Sequence, residues 1–175
     1  MPLMIWLTLL YNWSSQPFQE QTIKPWLRAH WSVERLSALL PDVTIRYGGA
    51  VIEAREEPYR FVEFVFRKAA HLFVYAILGA LAYAALPVRS GPVWKRGVIA
   101  SVLVLIVSLL DEWNQTFSVM RTSTFEDVIL DMTGSTLGVL AAAASGRFAR
   151  RLAVRDKRRS ERRARDGGGI TPKRR

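Results

Sequence analysis

Three long apolar runs constrain the fold of this 175-residue chain more than any other feature. They cover residues 69–88, 93–110 and 128–144. Each run is close to the ~20 residues that a helix needs to cross a bilayer. Lipid offers no hydrogen-bond partner to backbone polar groups, so runs of this kind must be helical. The sequence therefore predicts an all-α membrane protein built as a small helical bundle.

The N-terminal run, residues 1–13, is also apolar but is shorter. It lacks the basic region and the small-residue cleavage site of a secretory signal peptide. Two interpretations stay open, a thin or tilted first span and a span that begins upstream. We count it as the first of about four transmembrane helices, near residues 1–13, 67–88, 93–113 and 127–146. Residues 1–146 then form one transmembrane domain.

Residues 17–66 are predicted to form an insertion between the first two spans. Residues 19–40 place apolar side chains at roughly helical spacing, which indicates an amphipathic helix at the membrane interface or packed on the spans. Residues 43–55 contain two β-prone segments around Gly48-Gly49. This pattern is typical of a small hairpin whose turn needs positive φ.

The formal charge of +10 is concentrated at the C-terminus. Residues 147–175 contain 13 Lys or Arg and 3 Asp or Glu, whereas residues 1–146 contain 12 of each sign. We predict that this tail is disordered and that it can bind anionic lipid. It lacks interleaved aromatic residues, so no nucleic acid is expected. The absence of cysteine excludes thiol chemistry, and His30 and His71 are the only imidazoles available to a metal.

Basic residues predict the orientation. The loop between the second and third spans carries Arg89, Lys95 and Arg96, of which the last two are expected to snorkel to the interface. This loop and the basic tail must lie on the same side of three consecutive spans. The positive-inside rule places both in the cytoplasm. The sequence therefore predicts a multi-pass protein of the cell membrane with a cytoplasmic C-terminus and an extracytoplasmic insertion.

Most other ionisable residues near the spans then collect at the outer end of the bundle. Such side chains are costly in hydrocarbon and normally face the bundle interior. The predicted binding pocket consists of Arg67, Lys68, His71, Tyr75, Asp111, Glu112, Gln115, Arg121, Asp127 and Asp131. The alternative is that these groups pair with one another and only lock the bundle.

The residue types indicate the chemistry that this pocket could perform. Arg67, Lys68 and Arg121 are suited to holding a phosphate. The carboxylates are suited to pairing with these cations, to binding a divalent cation, or to acid–base work. The catalytic candidates are His71, Asp111 and Glu112, and no metal ligand is assigned.

The order of motifs resembles the VanZ-like family of bacterial membrane proteins over residues 1–146. The matching residues are Arg67-Lys68-x-x-His71-x-x-x-Tyr75-x-x-Leu78-Gly79, Asp111-Glu112-x-x-Gln115-x-Phe117, Arg121, Asp127 and Gly134-x-x-x-Gly138. Three positions depart from the family: Val119-Met120 stands where Pro-Gly is common, and Asp131 stands where Asn is common. The resemblance implies a cell-envelope setting and an association with resistance to glycopeptide antibiotics such as teicoplanin. It implies no reaction.

Three functions are compatible with these features. The first is binding of a phosphate-bearing envelope lipid or precursor in the pocket. The second is a membrane-embedded hydrolase or transferase for a lipid-linked substrate, in which His71 works with Asp111 or Glu112. Transport ranks last, because the chain has few helices and no internal repeat. Gly79, Gly134 and Gly138 are expected to serve close helix packing.

Overall fold

The computed structural model describes residues 1–87, 92–116 and 124–167. Its elements in chain order are α1 (Pro2–Ser14), α2 (Phe18–Gln21), α3 (Lys24–His30), α4 (Val33–Leu39), β1 (Thr44–Tyr47), β2 (Ala50–Glu53), α5 (Pro58–Ala85), α6 (Val93–Thr116) and α7 (Phe125–Gly167). The mostly helical architecture with a small two-stranded sheet agrees with the prediction.

Among the described residues, three helical stretches are long and apolar enough to cross a membrane. They are Pro58–Ala85, Val93–Gln115 and Phe125–Ala149. Helix α1 has 13 residues and extends about 20 Å at 1.5 Å per residue, which is less than the ~30 Å hydrocarbon core. Three predicted spans are therefore confirmed as membrane-length helices, and the predicted count of four is not.

The second span begins earlier than residue 67. Helix α5 starts at Pro58, which occupies the first helical turn. Backbone N–H groups in this turn have no partner within the helix, so proline, which lacks an N–H, loses no hydrogen bond there. The insertion therefore ends at residue 57. The additional two and a half turns, about 3.6 residues each, bring further charged side chains onto the helix beside the predicted pocket.

Small residues let α5 and α7 pack closely. A Cβ added at Gly134 or Gly138 would overlap the α5 backbone at Leu72 or Ala76. A Cβ at Gly79 would in turn overlap the backbone of Ser135. Close approach of this kind provides the van der Waals contact that holds helices together in lipid.

The apolar side chains of α6 divide between a core face and an outer face. Val104 is buried, in the same cluster as Tyr75 and Leu78 of α5. By contrast, Val102 and Ile106 are half exposed. An apolar surface of this extent is unusual for a protein in water and suits contact with lipid chains.

Helix α1 packs on the same bundle through a few specific contacts. Leu10 is buried, and the Trp6 indole donates a hydrogen bond to Val74 O at 3.1 Å. Near the end of α1, the Asn114 amide donates to Ser14 Oγ at 3.4 Å and to Ser15 Oγ at 3.2 Å. The C-terminal ends of α1 and α6 therefore lie at the same end of the bundle.

The insertion contains three short helices where a single amphipathic helix over residues 19–40 was expected. The chain is extended at Trp31, with φ −132° and ψ 129°. Ser32 then caps α4 by accepting a hydrogen bond from the Arg35 backbone N–H at 3.4 Å. This N-cap starts a new helix. The apolar residues therefore keep helical spacing across residues 19–40 even though the helix itself is interrupted between α3 and α4.

The predicted hairpin is present. Strands β1 and β2 are antiparallel, and Tyr47 pairs with Ala50 across a two-residue turn. The turn residues Gly48 and Gly49 have φ of 55° and 77°. Only glycine adopts these angles at little cost, which is why the Gly-Gly pair fixes the turn and the register.

Two expectations about basic residues were wrong. Helix α7 continues to Gly167, whereas the tail from residue 147 was expected to be disordered; Ala and Arg favour helix, so the helix continues beyond the membrane-length part, which ends at Ala149. Arg96 does not snorkel: it is buried, and its Nη2 donates to Tyr83 O at 3.1 Å and Leu86 O at 3.0 Å. It thereby satisfies carbonyls at the end of α5. Lys95 is exposed, and Arg89 lies outside the described residues.

Candidate functional site

A cluster of buried carboxylates lies where the first half of α5, the end of α6 and the start of α7 meet. Asp131 of α7 is fully buried. Its Oδ1 lies 3.2 Å from His71 Nδ1 of α5, and its Oδ2 accepts a hydrogen bond from Ser108 of α6 at 2.8 Å. Both oxygens are thus held, and the three helices are joined through one side chain.

Asp127, one turn earlier on α7, joins the bundle to the hairpin. Its Oδ1 forms an ion pair with Lys68 Nζ and accepts a hydrogen bond from the Tyr47 hydroxyl at 2.7 Å. Its Oδ2 accepts from Thr124 Oγ1 at 3.2 Å. A carboxylate with this many donors is stabilised in its charged form.

Tyr47 is fixed in the hairpin as a hydrogen-bond donor. Burial and the neighbouring Asp127 carboxylate raise the pKa of the Tyr47 hydroxyl above its usual range. The phenol therefore stays protonated near neutral pH. Lys68 Nζ lies 4.2 Å from the centre of the Tyr47 ring, which is a cation–π distance. Lys68 therefore contacts both the Tyr47 ring and the Asp127 carboxylate to which the Tyr47 hydroxyl donates.

Asp111 of α6 forms the third part of the cluster. Its Oδ2 accepts hydrogen bonds from the Tyr75 hydroxyl at 3.1 Å and from Gln115 Nε2 at 3.0 Å. Both donors are themselves buried. Glu112, the adjacent carboxylate, is also buried. Asp111, Asp127 and Asp131 are therefore buried carboxylates whose oxygens accept hydrogen bonds from protein side chains.

Two cavities adjoin the cluster. The first, which we term the α1–α5 cleft, has a volume of about 370 Å³. It is lined by Leu10, Trp13, Ser14, Gln16, Gln21, Phe66, Arg67, Ala70, His71, Val74, Tyr75, Asp111 and Gln115. The lining combines apolar side chains, among them Leu10, Phe66 and Val74, with charged and polar ones, among them Arg67, His71 and Asp111.

The second cavity, which we term the hairpin cavity, has a volume of about 260 Å³. It is lined by Lys24, Tyr47, Gly48, Ala50, Ile52, Arg60, Glu63, Phe64, Arg67, Lys68, His71, Gln115, Thr124 and Asp127. The two cavities share Arg67, His71 and Gln115. These three side chains form a boundary between a partly apolar compartment and a charged one.

The structure brings together most of the side chains that the sequence predicted. Seven line one or both cavities: Arg67, Lys68, His71, Tyr75, Asp111, Gln115 and Asp127. Asp131 and Glu112 are buried but line neither cavity. Arg121 lies outside the described residues. The expected partner of His71 was Asp111 or Glu112, whereas the structure places its Nδ1 beside Asp131.

Three polar residues of the site were not anticipated: Tyr47, Glu63 and Ser108. Glu63 is buried, accepts a hydrogen bond from Thr22 and pairs with Lys24 Nζ at 2.9 Å. A signal existed for two of them, because Ser108 precedes Asp111 by three residues and Glu63 precedes Arg67 by four, which is helical spacing. No spacing rule relates Tyr47 to the bundle.

The described residues contain no group of three or more His, Asp or Glu side chains that could hold a metal ion. The physical reason is visible at Asp127 and Asp131, whose oxygens accept hydrogen bonds from protein side chains. The divalent cation that was compatible with the sequence therefore has no ligand set in this part of the chain.

Membrane-length helices packed around buried, hydrogen-bonded carboxylates define a multi-pass membrane protein. The model of the VanZ/LLP1 family matches residues 1–146. The chain belongs to this family, as the order of its motifs predicted. Comparison with curated proteins and with solved structures gave no match.

Proposed function

We propose that this protein binds an anionic lipid of the bacterial cell envelope, or a lipid-linked envelope precursor, with the lipid phosphate held at Arg67 and His71. The observation that carries the proposal is the mixed apolar and basic lining of the α1–α5 cleft. Leu10, Phe66 and Val74 line it with apolar surface, and Arg67 and His71 line it with basic groups. An amphiphile needs both kinds of surface in one cavity.

The volume and position of the cleft support this ligand class. About 370 Å³ lies within the ~300–1,000 Å³ range of small-molecule sites, enough for a phosphate and the first part of an acyl or prenyl chain. The neighbouring Phe66 is half exposed and Phe73 is more exposed still. A chain that lies along α5 can therefore continue from the cleft into the bilayer.

The test is lipid binding by the full-length protein in detergent micelles. Arg67→Gln removes a bidentate phosphate donor and is expected to weaken binding of phosphatidylglycerol about tenfold or more, since a hydrogen bond to a charged group contributes about 1.5–3 kcal/mol. Arg46→Gln is the matched control, because Arg46 is exposed on the hairpin and lines neither cavity. Equal affinities of wild type and Arg67→Gln would refute the proposal.

The same proposal includes a role of this protein in resistance to glycopeptide antibiotics, which rests on its membership of the family. Expression of the wild-type chain is expected to lower susceptibility to teicoplanin in a sensitive bacterium. Arg67→Gln is expected to lose this effect and Arg46→Gln to keep it, with membrane levels of the three proteins compared by immunoblot. An unchanged effect of Arg67→Gln would separate resistance from the cleft.

A second candidate is a hydrolase or transferase for a lipid-linked substrate, and the contact between His71 and Asp131 favours it. With Nδ1 directed at a buried carboxylate, Nε2 of the neutral ring carries the lone pair and can accept a proton, as in other His–Asp pairs. His71 lines both cavities, so a substrate in either one is within its reach.

Turnover of lipid-linked phosphoesters by purified protein distinguishes this candidate from binding alone. His71→Ala and Asp131→Asn are each expected to lower the rate by about 10²-fold or more, the usual contribution of an acid–base group. His30→Ala is the control, because His30 is exposed on α3 and lines neither cavity. Turnover that survives His71→Ala would exclude a catalytic role for this pair.

A further inference from the structure

The hairpin cavity is a second compartment beside the α1–α5 cleft. Its volume of about 260 Å³ is large beside the ~30 Å³ that a water molecule occupies in the liquid. The hairpin contributes Tyr47, Gly48, Ala50 and Ile52 to its lining, and α5 contributes most of the rest. The fold thus encloses room for a polar chemical group of several heavy atoms.

The two compartments meet at Arg67, His71 and Gln115, which line both. A phosphate bound at Arg67 would therefore stand between them. One oxygen of that phosphate would be esterified to the lipid in the α1–α5 cleft. A second ester oxygen would direct its substituent into the hairpin cavity, so the geometry suits a diester better than a monoester.

The lining of the hairpin cavity is polar and positive in balance. Four basic side chains line it, Lys24, Arg60, Arg67 and Lys68, against the two carboxylates Glu63 and Asp127. Ion pairs neutralise Lys24 with Glu63 and Lys68 with Asp127. Arg60 pairs with Glu57 at 2.8 Å, but both side chains are nearly half exposed, and surface pairs of this kind contribute little and exchange readily.

Building on the proposed function, we propose that the ligand is a lipid phosphodiester and that the hairpin cavity holds its small hydroxylated headgroup. Hydroxyl groups suit this lining because each can accept a hydrogen bond from a guanidinium and donate one to a carboxylate. The hairpin is then a recognition element, held over the site by the hydrogen bond from Tyr47 to Asp127.

The experiment compares two lipids of equal charge and identical acyl chains in detergent micelles. Phosphatidylglycerol carries a glycerol headgroup, and phosphatidylmethanol carries only a methyl group. Wild-type protein is expected to bind phosphatidylglycerol about tenfold more tightly. Ala50→Trp fills the hairpin cavity and is expected to abolish this preference. Val51→Trp is the control, because Val51 is half exposed and does not line the cavity.

Arg60→Gln provides a second variant that does not depend on accommodating a tryptophan, and it is expected to reduce the preference to about threefold or less. Equal affinity of the wild type for the two lipids would overturn the headgroup site. So would a preference for phosphatidylglycerol that persists in Ala50→Trp or, where that variant does not fold, in Arg60→Gln. In both cases Arg67-dependent lipid binding remains and the proposed function stands. Loss of Arg67 dependence refutes the proposed function itself.

Glycerophosphoglycerol, the phosphodiester of phosphatidylglycerol without its acyl chains, distinguishes a lipid ligand from a soluble phosphodiester. No binding is expected at concentrations that saturate the site with phosphatidylglycerol. Binding of glycerophosphoglycerol with equal affinity would overturn the assignment of a lipid and identify a soluble phosphodiester as the ligand.

Discussion

Asp127 illustrates how single residues connect distant parts of this chain. It accepts hydrogen bonds from Tyr47 of the hairpin and from Thr124 just before α7, and it pairs with Lys68 of α5. The carboxylate is 7% exposed, and Lys68 is 22% exposed. An ion pair this buried carries a large desolvation cost, so removing one partner harms the fold more than removing both.

This asymmetry gives a prediction for thermal unfolding in detergent. Lys68→Met leaves Asp127 without its cation, and Asp127→Asn leaves Lys68 without its anion. Each single variant is expected to lose about 3–5 kcal/mol, the usual effect of breaking a buried pair. In the double variant, the amide oxygen at position 127 can still accept from the Tyr47 hydroxyl and the amide N–H can donate to Thr124 Oγ1, so this variant is expected to recover part of that loss.

A double-mutant cycle provides the control. Contacting side chains typically show interaction energies of about 0.5–3 kcal/mol, whereas independent sites are additive. Additive losses at Lys68 and Asp127 would show that the pair does not contribute as a unit. Lys95→Met serves as a reference, since Lys95 is exposed at the opposite end of α6.

At the scale of elements, the α5–α7 contact determines where the site residues stand. Gly138 lies against the backbone of Ala76 and Gly134 against that of Leu72. This contact fixes the register in which His71 of α5 meets Asp131 of α7. A change in helix spacing is therefore expected to alter the site as well as the stability.

Gly138→Ala tests this element directly. The added Cβ would overlap the Ala76 backbone, and overpacking of this kind costs about 1–3 kcal/mol or more. We expect a lower unfolding temperature together with weaker phosphatidylglycerol binding. Gly146→Ala is the matched control, because its added Cβ would meet no atom of another helix within 4 Å. Equal unfolding temperatures for the two variants would contradict close packing at Gly138.

The elements of the fold that the sequence could predict are those that depend on local features of the chain. The three long helices follow from apolar length, and the hairpin follows from Gly48-Gly49, because each is a local property of the chain. The pairing of His71 with Asp131 is not local. It depends on the rotation of α5 against α7, which the glycines of α7 set through contacts with Leu72 and Ala76.

The insertion was harder to predict for a related reason. Apolar periodicity continues across residues 19–40, yet Ser32 caps a new helix, and a side-chain cap outweighs periodicity locally. Tyr47 reaches Asp127 from 80 residues away. Nothing in the spacing of either segment specifies that contact, so the hairpin's place over the site became visible only in the fold.

At the scale of the whole molecule, orientation decides which leaflet the site faces. The described C-terminal part of α7 continues through a strongly basic segment to Gly167, and the first turn of α6 carries the basic residues Lys95 and Arg96. Cytoplasmic leaflets attract Lys and Arg. We therefore expect the C-terminus in the cytoplasm and the hairpin, with both cavities, on the extracytoplasmic side.

The absence of cysteine makes this orientation directly measurable, because a single introduced thiol has no background. Val51→Cys places an exposed thiol on the hairpin, and Arg155→Cys places one on the basic part of α7. In intact cells, a membrane-impermeant maleimide is expected to label Val51→Cys and to label Arg155→Cys only after the membrane is permeabilised. The reverse pattern would place the cavities at the cytoplasmic leaflet. An envelope ligand would then have to reach the cavities from the cytoplasmic leaflet, as a newly made precursor does before export. The labelling result therefore also decides which leaflet's lipids the binding experiments should represent.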